Sequence, residues 1–229
     1  MAGGADIAQV CHAPRVTGTS VVWLLPAVLA VVDWYAVWRG DRRTETWAKP
    51  AVLVALILTA VALGATDSAA GRWLMVALAF GLVGDVMLLG ESERRFRLGL
   101  AAFLVGHLAF VVSFTRLGLA PASWAWLAWV VLLVSLLLTR QVAPATYVRS
   151  GWGLAAPVAL YTVVIGAMVI VAFDTGEPLI ATGAAVFAAS DSVLAVDRFV
   201  SPKPWAPVVV MVTYHVGQAL IIAGVLAAV

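Results

Sequence analysis

Eight apolar stretches of about twenty residues decide what this chain can become. They cover residues 19–38, 48–66, 72–90, 97–115, 122–139, 152–173, 178–196 and 204–227. Each is long enough to cross the roughly 30 Å hydrocarbon core of a bilayer as a helix. Backbone N–H and C=O groups have only each other to bond inside hydrocarbon, so such runs must be helical. Of the 229 residues 63% are hydrophobic and 11% charged, where soluble domains carry about 25% charged residues. The connections between runs are short and leave no room for a soluble domain. The expectation is an all-α, polytopic bundle of eight transmembrane helices forming one domain over residues 1–229. Asp6, His12 and Arg15 precede the first run and no small-residue cleavage motif follows it. A retained helix is therefore expected there rather than a signal peptide.

Loop charges give the bundle a direction. Arg39, Arg42, Arg43, Lys49, Arg94, Arg95, Arg97, Arg140, Arg149, Arg198 and Lys203 fall on one side, and only Arg15, Arg72 and Arg116 on the other. By the positive-inside rule the first side is cytoplasmic, both termini are outside, and an inner (plasma) membrane is expected. The isoelectric point of 9.0 then reflects topology and anionic lipid, and membrane lipids rather than nucleic acid are the expected partners. Trp23, Trp38, Trp47, Trp73, Trp124, Trp152 and Trp205 fall near span ends, as an aromatic belt would. Cys11, the single cysteine, excludes an internal disulfide.

Against this apolar background two acids stand out. Asp85 lies within Phe80-Gly-Leu-Val-Gly-Asp-Val-Met-Leu-Leu89, and Asp191 within Gly183-Ala-Ala-Val-Phe-Ala-Ala-Ser-Asp-Ser192. A charge at the bilayer centre costs roughly 3 kcal/mol on insertion scales, so such residues usually face a protein interior and work there. At about 1.5 Å of rise per residue, Asp85 lies roughly 9 Å from the cytoplasmic end of its span, and Asp191 roughly 10 Å. Asp33 reaches a similar level, as a snorkelling interfacial acid or a site residue. His107, Tyr161 and Tyr214 lie about 15 Å deep on spans that run the other way, and Gln218 shares a face with Tyr214 at i+4. Lys49 is expected at the entrance, with Pro50 in a first helical turn. Polar groups from seven spans thus collect in the cytoplasmic half. Each has a structural reading too: the aspartates as interhelical bonds, His107 as a packing histidine beside Phe103 and Phe110, and Tyr161, Tyr214 and Gln218 as helix bridges. Gly81, Gly84, Gly99 and Gly106 suit close helix approach. No residue set has metal-ligand spacing, and nothing calls for a cofactor. Gly84-Asp85 and Ser190-Asp191 stand four spans apart, with His107 and His215 following at 22 and 24 residues, which hints at a parallel four-plus-four repeat.

From about Lys49 onward the chain resembles the YhhN family of integral membrane proteins, whose characterised members are lysoplasmalogenases. The resemblance rests on Lys49-Pro50, Gly84-Asp85-Val-Met-Leu-Leu89, Phe103-Leu-Val-Gly-His107-Leu-Ala-Phe110, Leu160-Tyr161, Gly183-Ala-Ala-Val-Phe187 with Ser190-Asp191-Ser192, and Thr213-Tyr214 with Gln218. Phe110 stands where the family often has tyrosine, and His215 intervenes between Tyr214 and Gln218. The resemblance implies eight helices and hydrolysis of the vinyl ether bond of lysoplasmalogen to a fatty aldehyde and a glycerophospho-base.

The residues suit that chemistry. An enol ether is hydrolysed by protonation at its β-carbon, followed by capture of an oxocarbenium ion by water. The protein must supply an acid, an anion and a held water, which two carboxylates provide in glycoside cleavage. Asp85 and Asp191 are the expected catalytic pair. Sequence leaves either as the acid; the hydroxyls of Ser190 and Ser192 offer Asp191 bonds that would keep it ionised, which inclines the assignment toward Asp85. Lys49, His107, Tyr161, Tyr214, Gln218 and Ser190 are expected to bind a lysophospholipid substrate, with Lys49 and neighbouring arginines meeting the phosphate. The main alternative is a proton-coupled lipid or small-molecule transporter using Asp85, Asp191 and His107 as a relay. An intramembrane aspartyl protease would need Tyr-Asp and Gly-x-Gly-Asp, and neither element is present. A scaffold role would need large loops or tails.

Overall fold

The computed structural model describes residues 21–229, so Asp6, Cys11, His12, Arg15 and the first two residues of the first predicted span lie outside the described residues. A 3₁₀ turn at Val21–Trp23 leads into α1 (Leu24–Arg39), and α2 (Arg42–Ala62) follows at once. Then come α3 (Ala69–Leu88), α4 (Glu93–Leu117), α5 (Leu127–Thr139), α6 (Val142–Ser150), α7 (Trp152–Asp174), α8 (Pro178–Phe199) and α9 (Ala206–Ala227). Every element among the described residues is helical. Seven helices are long and apolar enough to cross a membrane singly, and α5 with α6 makes an eighth candidate span bent by 41°. The chain is a multi-pass membrane protein.

Two departures from the sequence reading bear on the site. The second helix starts at Arg42 rather than near residue 48, because the Asp41 carboxylate accepts from the backbone N–H of Arg43 and Thr44 and caps it there. Lys49 is therefore two turns inside the helix, and Pro50 sits in its interior rather than in its first turn. The predicted span 122–139 is the second correction. Residues 123–126 are turns, the helix occupies only Leu127–Thr139, and a second short helix follows a two-residue break. Thirteen residues reach only about 20 Å. Pro144, in the first turn of α6, needs no N–H partner there.

Packing inverts the soluble pattern. Apolar side chains such as Val28, Val31, Leu133 and Leu137 are exposed, while Asp33, Lys49, Asp85, His107, His215 and Gln218 are buried. Lipid supplies little hydrophobic drive between helices, so association depends on close approach and polar contacts. The α3/α4 and α8/α9 hairpins pack most intimately. A Cβ on Gly183 would come within 2.9 Å of the Gly217 carbonyl oxygen, and a Cβ on Gly84 within 2.6 Å of the Phe103 ring. Both glycines let neighbouring helices touch. α9 is central, packing on α1, α2, α3, α4 and α8. α5 is peripheral, resting on α7 and α8 with Ala128 its single buried residue.

Candidate active site

A cavity of about 480 Å³ opens between α5, α7, α8 and α9 and reaches inward to α2, α3 and α4. Asp85 and Asp191 both line it, together with Lys49, Tyr161, Ser190 and Tyr214. Most of the remaining wall is apolar, including Leu88, Leu100, Phe103, Leu132, Val158 and Ile165. Its size and its few converging polar groups are those of a small-ligand site.

Each aspartate has its own set of partners. Asp85, nearly inaccessible on the last turn of α3, accepts a hydrogen bond at Oδ2 from the Tyr214 hydroxyl (3.0 Å). Its Oδ1 lies 3.6 Å from Lys49 Nζ, and both side chains are buried. Lys49 is therefore not a surface group waiting at an entrance. The early start of α2 carries it roughly 10 Å into the helix, to the level of Asp85. Asp191 Oδ2 accepts from the Tyr161 hydroxyl (3.1 Å) and lies 3.6 Å from His107 Nε2. His107 Nδ1 faces the Phe103 carbonyl at 2.6 Å. A carbonyl only accepts, so Nδ1 carries a hydrogen and a neutral His107 presents a bare, accepting Nε2 toward the carboxyl. Two acceptors facing each other leave a place for one proton between them.

Ring packing holds the two sets in register. His107 meets Phe187 edge-on at 4.8 Å between centroids, and Phe187 meets Tyr214 at 5.3 Å. His107 also packs edge-on against Tyr161 at 5.3 Å. Phe110, at the position that departs from the family pattern, is buried beside His107 and Phe187.

Other expected residues take different places. The Ser190 hydroxyl donates to the Val210 carbonyl (2.9 Å) and that of Ser192 to the Ala188 carbonyl (2.7 Å). Neither holds Asp191, because residues adjacent on a helix point about 100° away from it. His107 and Gln218 do not line the cavity. Gln218 stands behind Tyr214, and both polar side-chain ends lie 3.5 Å from where a Cβ on Gly81 would be. Asp33 does not snorkel: it is fully buried, and neither carboxylate oxygen has a hydrogen-bond partner. His215 accepts from Trp34 Nε1 at 3.0 Å, joining α9 to α1.

Two cavity residues were missed as site candidates. Arg140 and Arg198 also line the cavity, and the sequence reading named them only among the charges that set topology. A signal existed for Arg198, since it follows Asp191 by seven residues and so shares its helix face. Among the described residues, no group of three or more His, Cys, Asp or Glu side chains is placed to hold a metal ion.

The comparisons with known proteins follow the same residues. The YhhN family profile matches residues 44–225. Lysoplasmalogenase TMEM86B of Mus musculus is 31% identical over 212 residues, covering 87% of this chain and 84% of the relative. The human TMEM86B lysoplasmalogenase is 30% identical over 206 residues, with the same coverage. A lysoplasmalogenase of Mycobacterium tuberculosis is 33% identical over 182 residues, covering 75% of this chain and 67% of the relative. No solved structure matches the chain.

Proposed function

The chain belongs to the YhhN family, and we propose that it is an intramembrane lysoplasmalogenase, hydrolysing the vinyl ether bond of an alkenyl lysophospholipid to a fatty aldehyde and a glycerophospho-base. Relatives bearing that name match most of its length. The observation that carries the reading is the pair of differently partnered aspartates on one largely apolar cavity.

The partners support the reverse of the order toward which the sequence inclines. Asp85 meets an ammonium on one oxygen and a phenol proton on the other, the surroundings of a carboxylate ion. Asp191 faces an imidazole nitrogen that lacks a hydrogen, the surroundings of an acid holding a proton. Asp191 gives its proton to the β-carbon of the vinyl ether, whose π electrons form the new C–H bond. The oxocarbenium ion left behind is stabilised by the Asp85 carboxylate. Water adds to the α-carbon and returns a proton to Asp191. The resulting hemiacetal breaks its C–O bond, releasing the aldehyde and the glycerol hydroxyl. Tyr161 and Tyr214 orient the two carboxyls, and Lys49 fixes the charge of Asp85. Holding reactants and catalytic groups in this geometry supplies the orientation the reaction lacks in water.

No observation favours the transporter alternative. In the half of the bundle away from the aspartates, the buried hydroxyls of Thr59, Ser113 and Thr175 each donate to a backbone carbonyl, of Val22, Ala70 and Ala172. They form no relay.

Purified protein incubated with alkenyl, alkyl and acyl lysophospholipids should release fatty aldehyde from the alkenyl lipid alone, detected by mass spectrometry. Fatty acid from the acyl lipid, or no aldehyde, would overturn the reading. The site belongs to the cytoplasmic half of a plasma-membrane protein with both termini outside, on the distribution of basic residues. In a Cys11→Ser background, Arg94→Cys and Lys203→Cys should react with an impermeant maleimide only after the membrane is opened. Reaction in intact cells would invert the topology.

A further inference from the structure

We propose that Arg140 and Arg198 form a subsite for the lipid phosphate. The inference rests on the lysophospholipid reading above and deepens it. Five charged residues line the cavity: Lys49, Asp85 and Asp191, which pair with one another or with tyrosines and His107, and Arg140 and Arg198, which do not. Along α8 the separation from Asp191 to Arg198 is seven residues, roughly 10 Å. A glycerol bridge with one phosphoester, met by an arginine side chain, spans that interval. The vinyl ether then lies beside the aspartates when the phosphate lies at the arginines.

Arg198 is prepared for this task. Its guanidinium carbon sits 4.2 Å from the centre of the Phe96 ring, and Phe96 meets Phe199 edge-on at 5.7 Å. Stacking occupies one face of the guanidinium and leaves its N–H edge free, the edge that forks onto phosphate oxygens. Among the described residues, Arg42 pairs with Glu45 and Glu91 and Arg97 with Glu93, whereas neither Arg140 nor Arg198 has a carboxylate partner. Arg140 occupies the break between α5 and α6. The bent span places it there, and the Arg149 side chain ties α6 to α8 by donating to the Arg198 carbonyl at 3.3 Å.

Beyond Arg140 the surface continues into a second, more open groove of about 660 Å³, lined by Arg140, Gln141, Val148, Arg149 and Phe199 among others. Its charged residues are both basic. A choline or ethanolamine ammonium finds no carboxylate there and no cage of aromatic rings. The phosphate is therefore the charged group that these basic side chains are suited to hold.

The test uses ligands that cannot be cleaved, so it stands apart from hydrolysis itself. Binding of 1-alkyl lysophosphocholine, 1-alkyl lysophosphoethanolamine, 1-alkylglycerol and inorganic phosphate to the purified protein is measured by calorimetry in detergent. The two phospholipids should bind within about threefold of each other, and alkylglycerol roughly 10–100-fold more weakly, the range expected for hydrogen bonds to a charged group. Arg198→Ala and Arg140→Ala should weaken both phospholipids by roughly tenfold or more and leave alkylglycerol unchanged. Arg198→Lys should restore only part of the loss, because an ammonium lacks the fork. Wild-type protein that binds alkylglycerol as tightly as the phospholipids overturns the proposal, whatever the variants do. Inorganic phosphate bound as tightly as the lipids would show a free-anion site instead. Failure of wild-type protein to release aldehyde while these affinities hold would reject the hydrolase reading and leave the subsite standing.

Discussion

Asp191→Asn and Asp85→Asn should each lower turnover of an alkenyl lysophospholipid by about 10²–10⁴-fold, the range assigned to a positioned proton donor, while both proteins still fold, Asp85→Asn with lower stability because it leaves the Lys49 ammonium unpaired. Asparagine matches aspartate in shape, and its amide NH₂ and carbonyl can take up bonds with the phenols now facing each carboxyl. The chemistry is lost for two different reasons. At residue 191 an amide has no acidic proton to give to carbon. At residue 85 it has no charge to set beside the oxocarbenium ion. The two variants should therefore differ in detail. Proton transfer to carbon limits the rate, so the wild-type enzyme should run slower in D₂O. Asp85→Asn should keep that isotope effect, since its residual turnover still passes through the Asp191 proton. Asp191→Asn should keep an isotope effect too, since a deuterated buffer acid still protonates carbon, but its residual turnover should rise with buffer-acid concentration while that of Asp85→Asn should not. Retention of more than a tenth of wild-type turnover by either variant, with correct folding shown by circular dichroism, would reject the pair. Turnover that rises with buffer acid in Asp85→Asn and not in Asp191→Asn would exchange the two roles.

The depth of these acids was legible in the sequence, because rise per residue turns position into level once a helix is assigned. Which partners they meet was not. Tyr214 is 129 residues from Asp85, and Tyr161 is 30 from Asp191. Such pairings depend on the rotation of each helix about its own axis, which hydropathy leaves nearly free in a helix apolar all round. The spacing of the two histidines after the two aspartates illustrates this. It is alike in both halves, yet His107 faces the aspartate of the other half and His215 accepts from Trp34. The serines beside Asp191 were misleading for the opposite reason: proximity in sequence on a helix is divergence in direction. Lys49 was displaced by one overlooked cap. Asp41 with Thr44 and Glu45 marks a helix start in the sequence itself, and reading it places Lys49 two turns deep. The α5/α6 break hid in a stretch whose hydropathy ends at Leu138 and whose Arg140 and Gln141 read as a connection.

Lys49→Met should produce the largest loss of stability, about 3–5 kcal/mol, the cost of leaving a buried charge without its partner. The ammonium lies 3.6 Å from Asp85 Oδ1, and both side chains are shielded from solvent. Methionine fills a similar volume, so the cavity term is small, and the effect isolates the charge. Asp33, buried on α1 without a hydrogen-bond partner, offers Asp85 no compensation, being an acid itself. Activity should fall with stability, because Asp85 must then take up a proton and can no longer offset the cation formed on the substrate. The double variant Lys49→Met/Asp85→Asn separates the two effects. With both charges gone the interior is neutral, and an amide and a thioether replace the pair, so most of the stability should return. Activity should not, since the anion is still missing. Unfolding in detergent by heat or denaturant measures the coupling between the two sites. Recovery of at least half the loss in the double variant supports the ion pair as drawn. A double variant as unstable as the sum of its single variants would mean that Lys49 answers to a different group, with Asp33 the first to test, and Asp85 would then lose the fixed charge on which its part in the reaction depends.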